Sequence, residues 1–224
     1  MSQDVERIEH DVQAALDGEE ASIAERVRAI TLRALSQGVL DAAALRKVMG
    51  AVVTGAQQGI ARPGGERTAA LREAVRGLDE ALVSAAEATQ LAVQEAASRT
   101  GEFSRESLKT AVDQLGALES QFVDTLADAA KSASGHAQAT LRDLAEHARN
   151  SGTAVGGRVG SALSQLARAV PAAAREQVEG GRQTLRNEAT LLASLAAGVL
   201  RGIADRLHAA PPDKTEPPPT DRSN

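Results

Sequence analysis

The chain has 224 residues, a net charge of −5 and a 42% share of hydrophobic residues, yet it holds two Phe and no Trp, Tyr or Cys. Those counts exclude disulfides, thiolate catalysis and cysteine-based metal sites, and they leave Ala, Val, Leu and Ile to build any core. The acidic total and the missing aromatics weigh against a specific nucleic-acid partner.

Abundant Ala, Leu, Arg, Gln and Glu, without β-rich runs bounded by turn signals, predict an all-α fold. Residues 1–62 read as a short N-terminal helical module. Val5, Ile8, Val12 and Leu16 share one helix face before Asp17 and Gly18 stop it. Ser22 and Glu25 have the spacing of a capping box leading into Ile23, Val27 and Ile30, and Gly38 ends that helix. Asp41 caps a third helix carrying Leu45, Val48, Met49, Val52 and Val53. Three such helices bury a marginal core alone, so the module is expected to lean on the rest of the chain or on a second copy.

Arg62, Pro63, Gly64 and Gly65 form the clearest internal break. Residues 66–210 then read as long, jointed amphipathic helices, as an elongated bundle or extended, and the proline-rich 211–224 as a disordered tail. Leu71, Leu82, Val93, Ser104, Leu115 and Leu126 are spaced by eleven. The column keeps phase across 100–104, where two readings stand: a continuous or kinked helix, or a new helix capped by Ser104. Joints are expected at 150–157, where Gly152, Gly156 and Gly157 cluster, at Pro171 and at Gly180 and Gly181.

From Leu126 the column continues through Ala137, Ala148, Val159, Val170, Gly181, Leu192 and Ile203. A second runs through Ala130, Leu141, Gly152, Leu163, Ala174, Leu185, Ala196 and Leu207. Eleven residues make almost three α-helical turns, so both columns form a nearly straight stripe. It must cover another helix or an apolar surface. Its densest part is the candidate contact face: Leu185, Leu192, Leu195, Val199, Leu200, Ile203 and Leu207. Beside it lies a basic flank of Arg142, Arg149, Arg175, Arg182 and Arg186, whose stems can lie along an apolar face while their heads reach anionic groups. Residues 1–25 carry eight acids against one Arg and 126–210 seven acids against ten bases. Solvated faces, head-to-tail docking and attraction to an anionic surface all fit that asymmetry.

No enzyme, cofactor or metal site is expected. His10, His136, His147 and His208 are dispersed, and Asp143, Glu146 and His147 form a set that solvated helix faces often produce. The acidic first ten residues lack the apolar core of a signal peptide. The uncharged run at 189–200 has twelve residues, short of the roughly twenty that span a bilayer, so a cytoplasmic protein without a transmembrane segment is expected.

The runs Phe122-Val123-Asp124-Thr125-Leu126-Ala127-Asp128-Ala129-Ala130-Lys131 and Ala137-Gln138-Ala139-Thr140-Leu141 resemble bacterial phasins, which coat polyhydroxyalkanoate granules. The period is similar to that of exchangeable apolipoproteins and desiccation-protective helical proteins, and the opening segment around Ile30-Thr31-Leu32-Arg33-Ala34-Leu35 looks more like an uncharacterised family of all-α bacterial proteins. The resemblance implies reversible coating of a storage granule or lipid surface. The alternative is a self-associating helical scaffold, a homo-oligomer or coiled coil whose stripe pairs with other helices, its own copies included.

Overall fold

In a computed structural model the backbone is described for residues 2–17, 19–37, 40–60, 68–98, 103–173 and 182–208. The helices are α1 (Ser2–Leu16), α2 (Ile23–Ser36), α3 (Ala42–Ile60), α4 (Thr68–Ser98), α5 (Arg105–Gly116), α6 (Leu118–Ser132), α7 (Gly135–Ser151), α8 (Ala154–Ala173) and α9 (Arg182–His208), with a 3-10 turn at Glu20–Ser22. Among the described residues there is no strand, and the fold is all-α. The proline-rich segment 211–224 lies outside them.

Local chemistry sets some of the helix ends. Asp41 Oδ1 accepts from the backbone N–H groups of Ala43 and Ala44 at 2.9 and 2.8 Å, so it caps α3 as its position predicts. The capping box at Ser22 does not form: Ser22 has helical dihedrals, and its hydroxyl donates to the Glu19 carbonyl at 2.9 Å. Ser104 is extended and its side chain accepts from Ser107 N at 3.2 Å, so α5 is a new helix rather than a continuation of α4. Between α5 and α6 the break is slight, because Ala117 keeps helical dihedrals and its carbonyl still accepts from Gln121 N at 3.0 Å. Pro171 does not end its helix, which continues to Ala173.

The 31-residue α4 is the central strut, about 46 Å long at 1.5 Å per residue. It packs chiefly on α2, α8 and α9, while α1 packs on α3 and α6 on α7. The approach at its front is close: a Cβ on Gly77 would collide with the Ala24 carbonyl, and one on Gly55 of α3 would sit 2.6 Å from Glu9 O. One contiguous apolar cluster joins Val12, Val27 and Met49 of the first three helices to Leu78, Phe122, Leu141, Leu166 and Leu200. The N-terminal helices therefore complete their core against the rest of the chain.

Candidate functional site

The stripe faces inward. Leu192 and Leu200, at 3% and 0% exposure, lie in the core, and Leu195, Val199 and Ile203 are half-buried against it. The side chains of Leu185 and Leu207 lie outside the described residues. Those core-facing residues therefore meet the chain's own helices, since α9 packs on α4, α2 and α5. The basic flank is described in part: Arg142 and Arg149 are exposed on α7, Arg175 lies outside the described residues, and so do the side chains of Arg182 and Arg186.

The eleven-residue column reaches further than residues 71–203. Backward from Leu71 it passes Ile60, Met49, Gly38, Val27, Leu16 and Val5, so eighteen steps of eleven separate Val5 from Ile203 without a charged residue. Leu16, Val27, Met49, Leu71, Leu82, Val93, Leu115, Leu126, Ala148, Val159 and Leu192 are buried. Val5, Ile60, Ala137 and Ile203 are half-buried and packed on the same cluster. Breaks at 17, 104, 117, 134 and 152–153 interrupt the helix and leave the phase intact. The missed half was readable from the same count, but Asp17, Gly18 and Pro63 punctuate it so strongly that it reads as a separate module.

Carboxylates from distant helices receive two helix starts. Asp79 of α4 accepts from Ala154 N and Val155 N, both at 2.9 Å, and Glu119 of α6 accepts from Thr153 N at 3.2 Å and Thr153 Oγ1 at 3.0 Å. A Cβ on Gly156 would collide with the Glu119 carboxylate as it is placed here, so a side chain at that position would have to displace the carboxylate from Thr153. Glu188 of α9 accepts from Ser104 N and Ser107 Oγ, each at 2.8 Å, and so joins α9 to the start of α5. Carboxylates suit these places because the first N–H groups of a helix lack intrahelical partners and carry the positive end of its dipole.

The two environments shift acidity in opposite directions. Burial, reinforced by the nearby Glu80 and Glu119 charges, raises the Asp79 carboxyl above its ordinary value, although the two N–H donors pull it down. Burial also pushes on Glu188, but hydrogen bonds from Ser104 and Ser107 outweigh it and hold that carboxyl below the usual range. None of these clamps was visible in the sequence, because the partners lie 75, 34 and 84 residues apart.

Other ties between the helices are uneven. Arg201 donates to Ser36 O at 2.7 Å, and Gln57 to Ala129 O at 2.9 Å. Between α4 and α8, buried Gln90 donates to Gln165 at 2.7 Å, while its own Oε1 has no partner among the described residues, a flaw of about 1–3 kcal/mol. Helix α7 is held most lightly. Its buried residues are Thr140, Leu141, Ala145 and Ala148, with Leu144 half-buried against the core, so one fully buried large side chain contributes about 1.5–3 kcal/mol of its anchoring. Its Arg72–Asp143 pair, 3.3 Å and exposed, adds at most about 1 kcal/mol.

A cavity of 20 Å³, lined in part by Leu40, Thr89, Val93, Ser107, Gln114 and Ala196, has room for a water and not for an organic substrate. His10, His136 and His147 are exposed, and among the described residues no group of His, Asp and Glu is placed to hold a metal ion. Among those residues no helix is long and apolar enough to cross a membrane.

Neither a curated protein nor a solved structure matches the chain. A family model described as "Family of unknown function (DUF6781)" matches residues 1–209, and the chain belongs to that family.

Proposed function

We propose that this protein is a non-enzymatic coat whose bundle opens and lays its amphipathic helices on an apolar surface, a storage granule or lipid. The observation that carries the reading is the uncharged eleven-residue column from Val5 to Ile203. A closed bundle has no use for a common phase across its breaks, because each loop lets the next helix choose its own register. An opened chain does. Once the joints straighten, the separate faces line up as one stripe with little supercoil, and the exposed Arg142 and Arg149 lie on its flank.

Energetics support a reversible form. Each repeat offers two or three apolar groups, many of them Ala, worth only a few kcal/mol at ~25 cal/mol/Å². Many weak contacts in series then exchange bundle packing for surface contact with a small net change. A self-associating scaffold would use the same stripe against further helices.

The chain lacks cysteine, so probe pairs can be placed cleanly. Dyes on cysteines replacing the exposed Ser120 and Ser194 report the separation of α6 and α9. The coating reading predicts co-sedimentation with polyester granules or vesicles and a fall in energy transfer in the bound fraction. A protein that stays in the supernatant with both surfaces, or binds without separation of the dyes, contradicts it. Growth of a discrete oligomer with concentration favours the scaffold.

A further inference from the structure

We infer that α7 is a hinged flap that undocks before the rest of the bundle, and that the clamp at the start of α8 confines the opening to it. Both ends of α7 meet a glycine with positive φ. Gly135 has φ 58°, and Gly152 has φ 78° and ψ 176°, a region that only glycine occupies readily. Two extended residues, Ala133 and Ser134, precede the first joint. The helix between the joints rests chiefly on α6 and secondarily on α4, with Leu141 as its one fully buried large side chain and the exposed Arg72–Asp143 pair as its tie to α4.

The second joint abuts a fixed point. One residue beyond Gly152, Thr153 is bonded to Glu119, and Ala154 and Val155 are bonded to Asp79. Torsion at Gly152 therefore moves α7 and leaves the first turn of α8 pinned between α4 and α6. Undocking turns out the face of Leu141, Leu144, Ala145 and Ala148 and uncovers the side of α6 that α7 covers. Segments with few buried apolar contacts open at the low end of a protein's range of local stabilities, and α7 has the fewest large ones among α6, α7, α8 and α9.

What the uncovered face engages rests on the coating reading, but the flap itself is measurable without any surface. Amide hydrogen exchange on the full chain in buffer should show residues 140–149 exchanging together, at least about tenfold faster than 158–166 of α8 and 78–93 of α4. Leu141→Ala should speed the α7 set by about tenfold more and leave the α4 set in place; the milder Arg72→Gln should speed it about twofold. Asp79→Asn with Glu119→Gln should bring the first turns of α8 into the same opening. Exchange of α7 no faster than α8, or only together with α4, overturns the flap. With phosphatidylglycerol vesicles present, a changed α7 rate supports flap and coat together. An unchanged rate, with fast exchange in buffer, supports the flap and overturns lipid coating.

Discussion

The front of the bundle and its back carry the same apolar column and hold it with different strength. At the front, Ile23, Leu32, Met49, Leu71, Leu78 and Leu82 are fully buried, and Gly77 lets α2 and α4 approach to backbone contact. At the back, α7 rests on Leu141, the half-buried Leu144 and small residues, α8 on Val155, Val159, Ala162 and Leu166, and carboxylate clamps hold helix ends. The difference teaches that periodicity fixes which face is covered, while side-chain size and glycine placement fix how firmly.

The largest effect should come from the front core. Leu82→Ala, or Phe122→Ala where α6 meets that core, should cost about 3–5 kcal/mol in denaturant unfolding, through lost burial and the cavity left behind. Leu141→Ala removes an equally buried leucine, yet its cost should appear first as local opening of α7. Equal global losses for Leu82→Ala and Leu141→Ala would erase the contrast. Gly77→Ala comes next, at about 1–3 kcal/mol, because its Cβ meets the Ala24 carbonyl and not a movable side chain.

The clamps give smaller, pH-dependent effects of opposite sign. Glu188 is held below its ordinary carboxylate value of 4.5, so its contribution is present above that value and is lost as pH falls through the folded-state value. Glu188→Gln should cost about 1 kcal/mol at neutral pH and flatten the acid limb of a stability profile. Asp79 is raised above 3.8, so its term favours the fold at acid pH and is lost as pH rises through the raised value. Asp79→Asn should remove that decline, and a steeper one in the variant would contradict the assignment. Smallest is the basic flank: Arg142→Gln with Arg149→Gln should change stability by less than about 0.5 kcal/mol. If the covered surface is anionic lipid, that pair should also weaken the salt dependence of vesicle binding.

Much of this was legible in the residues because helix geometry is local. The ends of α1 at Leu16 and of α3 at Ile60, the Asp41 cap and the uncharged column from Leu71 follow from spacing and cap chemistry. The open question at 100–104 turned on whether Ser104 would cap, and its bond to Ser107 N settled it in favour of a new helix. What covers Leu192 and Leu200 was not legible, since a stripe that fits a partner surface fits the chain's own helices equally well. The Asp79, Glu119 and Glu188 clamps depend on contacts between helices far apart in sequence, and a single carboxylate on a helix face gives no sign of its partner.

The central claim is that phase across the breaks serves an opened form, and a change of phase tests it most directly. Two residues inserted between Ala133 and Ser134, both extended in the α6–α7 connection, are absorbed by that loop in the closed bundle. In an opened, continuous helix they rotate everything downstream by about 196°, splitting the stripe onto opposite sides. An insertion of eleven residues lengthens the stripe and keeps it aligned. Co-sedimentation with granules or vesicles, alongside thermal unfolding, should show all three proteins folded, with the two-residue insertion binding weakly and the eleven-residue insertion binding like the unaltered chain. Equal binding by the two-residue variant, or no binding by the unaltered chain, would contradict the account.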